Sequence, residues 1–82
     1  MTVKILIVDD YKPLLEILKI GLEWNGYICD TAENYEEAKT LLATKTYEIV
    51  VLDLMLGSDN GLDIVKHIKR KFKSKVIASS AD

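Results

Sequence analysis

Glu48-Ile49-Val50-Val51-Leu52-Asp53 is an unbroken apolar run bracketed by two acids, and Leu54-Met55-Leu56 carries the apolar character past the second of them. Four consecutive aliphatic side chains leave no polar face. The segment therefore predicts a strand buried on both sides, as in the middle of a parallel sheet. Asp53 stands inside that stretch, where a charge is costly unless it has a partner.

Outward from it, Val3-Lys4-Ile5-Leu6-Ile7-Val8 is a second such run, and it ends in Asp9-Asp10. Tyr27-Ile28-Cys29-Asp30-Thr31 and Lys75-Val76-Ile77-Ala78-Ser79 are more mixed strands, suited to positions nearer a sheet edge. Three helical patterns lie between the runs. The first covers about Lys12 to Asn25. Pro13 suits its opening turn, where a missing N–H costs nothing. Leu14, Leu15, Leu18 and Leu22 recur at helical spacing as one expected buried stripe. Asn25-Gly26 is the expected stop, with Gly26 free to take a positive φ, and Trp24 and Tyr27 are expected to pack around that end. The second helix covers about Tyr35 to Thr44. Asn34 and Glu37 resemble a capping box, and Ala38, Leu41 and Leu42 form the apolar face. The third covers about Leu62 to Lys71, with Leu62, Ile64, Val65 and Ile68 inward. The order β-α-β-α-β-α-β predicts an α/β fold: a doubly wound parallel sheet with right-handed crossovers and helices on both faces.

The 82 residues suit one domain, 1–82. One cysteine, Cys29, excludes an internal disulfide and a cysteine-based zinc cage, and one histidine, His67, excludes a multi-histidine site. No apolar run is long enough to span a membrane, and the N-terminus does not read as a signal peptide. The expectation is a cytoplasmic protein with no membrane partner. Up to residue 64 there are five basic against twelve acidic side chains, and beyond it six against one. An acidic body does not suit direct nucleic-acid binding. The basic cluster from Lys66 to Lys75 closes the third helix, where cations favour the helix C-terminus. His67 reads as a surface residue for the same reason, and Cys29 as a small core residue.

In an open parallel sheet, ligands bind outside the carboxyl ends of the strands. The first strand ends in Asp9-Asp10, the third in Asp53 and the fourth in Ser79-Ser80. If the first and third strands are neighbours, three carboxylates converge on one crevice. Such a cluster either takes up protons or holds a cation. An all-oxygen ligand set suits a hard cation such as Mg²⁺, which also accepts a phosphate oxygen. A carboxylate in Asp53's setting can act as a nucleophile and form an acyl phosphate. Singly, an aspartate after a strand reads first as a turn former or helix cap, which fits Asp9-Asp10 more easily than Asp53, since Leu54-Met55-Leu56 continue the apolar run around it; the joint placement of the three carries the functional reading.

These residues resemble the receiver domain of two-component response regulators. Lys4-Ile5-Leu6-Ile7-Val8-Asp9-Asp10 is similar to the family's first strand and acidic pair. Gly26-Tyr27 and Ala32-Glu33-Asn34-Tyr35-Glu36-Glu37-Ala38 are similar to its second strand and second helix. Val51-Leu52-Asp53-Leu54-Met55-Leu56 with Gly61 is similar to the phospho-acceptor segment, and Val76-Ile77-Ala78-Ser79-Ser80-Ala81 to the fourth strand with its signalling hydroxyl. The resemblance implies a flavodoxin-like sheet of order 2-1-3-4. It implies that Asp53 accepts a phosphoryl group from a sensor histidine kinase, a phosphotransfer protein or a small phosphodonor. Mg²⁺ would be held by Asp10, Asp53 and the backbone carbonyl of Met55, and partly through water by Asp9. Ser80 would hydrogen-bond the phosphoryl oxygen and shift on modification. Such a module catalyses its own modification and is not a turnover enzyme.

Two departures stand against the family pattern. Gly57 occupies a position where the family usually has proline, which implies a looser loop. The chain also stops at Asp82, where the family continues with a helix, a fifth strand and a last helix. That strand normally bears a lysine that pairs with the phosphoryl group. The expectation for this truncated sheet is impaired phosphorylation, residual Mg²⁺ binding, and self-association through the exposed edge of the fourth strand. The competing reading is a non-catalytic interaction or assembly module, or a fragment of a longer regulator, that keeps the fold without the phospho-switch.

Overall fold

The structure is a computed structural model; it describes residues 2–53, residue 66 and the backbone of residues 75–79. Its elements are β1 (Lys4–Val8), α1 (Lys12–Trp24), β2 (Ile28–Ala32), α2 (Tyr35–Thr44), β3 (Ile49–Asp53) and β4 (Lys75–Ser79). The four strands form one sheet in the order β2-β1-β3-β4, and every neighbouring pair is parallel. This is the doubly wound arrangement expected from the alternation of runs, in the flavodoxin-like order that the resemblance implies. The expected third helix lies outside the described residues apart from Lys66, which is helical and exposed.

The period-two alternation of β1 and β3 divides the core into two layers. Leu6, Val8, Val50 and Leu52 face α2 and pack with Ala32, Tyr35, Ala38, Leu42 and Tyr47. Ile5 and Ile7 face α1 and pack with Leu15 and Cys29, joined by the half-buried Leu18, Leu22, Ile49 and Val51. Both faces of the central strands are thus apolar because both are covered. Removing a Leu or Val side chain from water contributes about 1.5–3 kcal/mol, so β1 and β3 carry much of the fold.

The helix ends follow from local chemistry. Pro13 lies in the first turn of α1, and Tyr11 precedes the helix without a side-chain cap. At its far end the Gly26 N–H donates to the Glu23 carbonyl at 3.0 Å and the Tyr27 N–H to the Leu22 carbonyl at 3.1 Å. This double closure needs a left-handed residue, and Gly26 has φ +90°. At α2 the Asn34 side chain accepts from the Glu37 N–H at 2.8 Å, while the Glu37 carboxylate accepts from the Glu33 N–H at 2.9 Å. The return bond of the capping pair therefore reaches one residue further back than in the usual box.

Two packing expectations for α1 are corrected. Leu14 is not part of the buried stripe; it is 37% exposed, and only Leu15 on this helix is fully buried. Trp24 does not pack around the helix end but stands 88% exposed. Leucine spacing alone cannot separate the inward row from its neighbour one residue round the helix, since both recur every three to four positions. The second strand also starts one residue later than the sequence pattern suggests and ends at Ala32.

Candidate functional site

β1 and β3 are adjacent, with Val8 opposite Leu52 in register. One step further along both strands lie Asp9 and Asp53, at the carboxyl end of the sheet, and Asp10 follows directly. One carboxylate oxygen from each of Asp9, Asp10 and Asp53 lies within 4.8 Å of the others. Burial is graded across the three: Asp53 is 8% exposed, Asp9 is half-buried and Asp10 is exposed. Asp53 is also the one buried charged residue of the core among the described residues.

Neighbouring groups fix the positions of these carboxylates. The Asp9 N–H donates to the Ala32 carbonyl at 3.0 Å, tying the end of β1 to β2. Asp9 Oδ1 accepts from the Tyr11 N–H at 3.0 Å, an Asx turn that leads into α1. One oxygen of Asp9 thus serves the turn, as the simpler reading of the sequence has it, while the three carboxylates still converge. At β3, the buried Tyr35 hydroxyl donates to the Asp53 backbone carbonyl at 2.7 Å. Tyr35 comes from the first turn of α2, so the helix clamps the strand at the residue that carries the carboxylate. Sequence reasoning placed Tyr35 at a helix start and missed this role. The only clue was an aromatic residue directly after the cap, and its target depends on a strand eighteen positions away.

Three like charges this close repel unless a cation or protons lie among them. The donor set is all carboxylate oxygen, without sulfur or imidazole, which suits a hard divalent ion with retained waters. The residues present therefore fit Mg²⁺. β4 lies on the other side of β3, with Ser79 opposite Asp53. Ser80, Met55 and His67, which the sequence reading singled out, lie outside the described residues.

A second polar cluster sits away from the carboxylates, at β2. Asp30 accepts from the Tyr47 hydroxyl at 2.6 Å and from Lys45 Nζ at 3.4 Å. The Tyr47 bond, helped by Lys45 and Lys19 against the opposing effect of burial, holds the Asp30 carboxyl below the usual carboxylate range. The Tyr47 hydroxyl is pushed up correspondingly, by burial first and then by Asp30. A carboxyl depressed in the folded state stabilises the fold above its unfolded pKa, about 4, and that contribution fades as pH falls through the folded value. Tyr47→Phe is expected to cost about 1.5–3 kcal/mol at neutral pH, the range for hydrogen bonds to charged groups. It should also flatten the loss of stability below about pH 4. Urea unfolding at neutral and acidic pH measures both. The Cys29 thiol is pushed up by burial, in keeping with an inert core residue.

A family model for the response regulator receiver domain matches residues 5–82. The chain belongs to that family. Among curated relatives, the phosphate regulon transcriptional regulatory protein PhoB of Pseudomonas aeruginosa is 36% identical over 66 residues, which is 80% of this chain and 29% of PhoB. The alginate biosynthesis transcriptional regulatory protein AlgB of Pseudomonas putida is 39% identical over 66 residues, again 80% of this chain but 15% of AlgB. The chain thus spans less than a third of either relative. Among solved structures, the response regulator TrrA of Thermotoga maritima in complex with Mg²⁺ and BeF has a TM-score of 0.87 and 38% identity, over all of this chain and 71% of that one. A response regulator of Burkholderia pseudomallei with a phosphorylated aspartic acid, a calcium ion and citrate has a TM-score of 0.88 and 28% identity, over 95% of this chain and 46% of that one. The receiver domain therefore has the flavodoxin-like fold and belongs to two-component response regulators, and its structural relatives bind divalent ions. Among its described residues no helix is long and apolar enough to cross a membrane.

Proposed function

We propose that Asp53 is the phosphoryl acceptor of this receiver domain and that Asp9, Asp10 and Asp53 hold Mg²⁺ beside it. The observation that carries the reading is the convergence of three carboxylate oxygens within 4.8 Å at the ends of two adjacent strands. In this reading an oxygen of Asp53 forms a bond to phosphorus while the donor's P–N or P–O bond breaks, and the leaving group departs with the electron pair. The product is an acyl phosphate on Asp53. Mg²⁺, when bound, offsets the charge of the carboxylates and the phosphoryl oxygens. Burial of Asp53 under the sheet end and the Tyr35 clamp on its carbonyl hold the acceptor still, and the turn at Asp9 brings Asp10 to the same crevice. Met55 supplies a backbone carbonyl to the ion and Ser80 a hydrogen bond to the phosphoryl group.

The donor is a phosphohistidine of a sensor histidine kinase or phosphotransfer protein, or a small phosphodonor, in the cytoplasm. The domain catalyses its own modification rather than turning over a substrate, and it makes no direct contact with nucleic acid or membrane. Incubation with a small acyl or amido phosphate tests this. One phosphoryl group should be added in Mg²⁺ and none in excess chelator. Addition that ignores Mg²⁺ contradicts the reading.

Among the described residues, β4 pairs on one side only, with β3. We propose that the 82-residue polypeptide associates through this strand, because unpaired edge amides and carbonyls invite a second chain. Ile77→Pro removes a ladder donor and should lower the apparent mass in light scattering. An unchanged mass rules the edge out.

A further inference from the structure

Among the described residues β2 pairs on one side only, with β1. The Ile28 N–H donates to the Val3 carbonyl at 3.0 Å, and the Ala32 carbonyl accepts from the Asp9 N–H at 3.0 Å. Ile28, Asp30 and Ala32 therefore turn their backbone groups toward β1, and Cys29 and Thr31 turn theirs to the open edge. Part of that edge is closed by side chains. Lys19 Nζ donates to the Cys29 carbonyl at 2.8 Å, and Glu37 Oε1 accepts from the Glu33 N–H at 2.9 Å. Between these two caps, no hydrogen bond among the described residues reaches the Cys29 N–H, the Thr31 N–H or the Thr31 carbonyl. One short stretch of ladder is thus left open, centred on Thr31.

Thr31 also lies between two grooves, one on each face of the sheet. On the α1 side it lines a groove of about 190 Å³ with Lys12, Leu15, Glu16, Lys19 and Glu33. On the α2 side it lines one of about 390 Å³ with Glu36, Glu37, Thr40 and Leu41. Successive side chains of an extended chain point to opposite faces. A strand laid along the open edge would therefore send the residue opposite Thr31 to the α1 side, the side that Thr31 shares with the core residue Cys29. The residues before and after it would turn to the α2 side. Open backbone groups and a pocket for each of two alternating side chains are the elements by which a sheet edge recognises a peptide.

The two grooves differ in charge, and the difference specifies the occupant. The α1-side groove balances two lysines against two glutamates over the buried Leu15. Its lysines have partners within the chain, Lys12 with Glu33 at 3.6 Å and Lys19 with Glu23 at 3.5 Å. It suits an uncharged apolar side chain. The α2-side groove has two carboxylates and no cation among its described lining residues, over the half-buried Leu41. It suits the aliphatic stem and charged head of a lysine or arginine.

We infer that the β2 edge at Thr31 is a docking site for an extended basic segment of a partner protein, an apolar residue with a cation on each side. The contact covers only a few residues, well below the size of stable interfaces, so the Kd is on the order of 1 mM.

NMR titration of the isotope-labelled 82-residue chain with the capped peptide Ser-Thr-Lys-Val-Lys-Thr-Ser, up to about ten times that concentration, reads the binding. The Cys29 and Thr31 amides and those of Glu36 and Glu37 should shift together. The same peptide with glutamate in place of both lysines should bind at least tenfold more weakly. Thr31→Pro removes an edge donor that faces away from β1, a position where a strand accepts proline, and should weaken binding about tenfold. Glu36→Lys, an exposed change, should weaken the lysine peptide several-fold and strengthen the glutamate peptide. The amide spectrum of each variant without peptide reports its fold, and Glu36→Lys decides the matter if Thr31→Pro does not fold. The inference is overturned by the absence of shifts at Cys29 and Thr31, by equal binding of the two peptides, or by binding unchanged in Glu36→Lys. Shifts at these amides that follow protein concentration without peptide also overturn it, since a second copy would then be the occupant.

Discussion

Asp53→Asn should carry no phosphoryl group under conditions in which the unaltered protein is expected to acquire one. The amide has the shape of the carboxylate but lacks its nucleophilic oxygen, so no acyl phosphate forms. Asp53 is the most buried of the three converging acids, and its backbone is held by Tyr35 from α2. In the proposed role, a nucleophile so placed would attack from a fixed position, which is where much of the rate advantage of a protein-bound acceptor comes from. Neither Asp9 nor Asp10 is as enclosed, and Asp9 gives one oxygen to the Tyr11 N–H. Intact-protein mass after incubation with a small phosphodonor and Mg²⁺ should show the added group slowly on the unaltered chain and never on Asp53→Asn. Equal labelling of the two would place the acceptor elsewhere.

Tyr35→Ala should destabilise the fold by about 3–5 kcal/mol, the range for removing a large buried aromatic side chain. For 82 residues the whole stability is on the order of 4–12 kcal/mol, so this variant approaches unfolding. Tyr35 is 1% exposed and packs among Leu6, Val8, Leu42 and Leu52. Its ring accounts for most of the loss, and its hydroxyl for the rest. Tyr35→Phe separates the two. It keeps the ring and removes the 2.7 Å bond to the Asp53 carbonyl, which should cost about 1–3 kcal/mol. Tyr35→Phe should also slow phosphoryl uptake, because the strand end bearing the acceptor loses its clamp. Urea unfolding reads the first effect and the labelling rate the second. A Tyr35→Phe protein as stable as the parent would show that the hydroxyl contributes nothing.

The strand runs were legible in the sequence because burial on both faces removes polar residues altogether, as in Ile49-Val50-Val51-Leu52. The convergence of Asp9, Asp10 and Asp53 was legible because parallel strands align their carboxyl ends, so acids that follow apolar runs gather there. α2 was legible to the residue, since Asn34 and Glu37 mark its start chemically. The inward face of α1 was less so. Leucine and isoleucine lie on both its faces, and only the sheet decides which is covered. The Tyr35 clamp and the Asp30–Tyr47 pair were not legible, because each joins side chains whose closeness arises only when the helices dock on the sheet. Cys29 was read correctly as core, a small apolar residue within a strand.

The central claim is that three acids from two neighbouring strands form a divalent cation site. Titration of Mg²⁺ followed by thermal unfolding tests it most directly. At ten times its Kd, one bound ion should stabilise the fold by about 1.4 kcal/mol and raise the Tm by several degrees. Asp10→Asn and Asp53→Asn should each shift that response to at least tenfold higher Mg²⁺. A Tm that does not move with Mg²⁺, or that moves equally in the parent and in Asp10→Asn, contradicts the account.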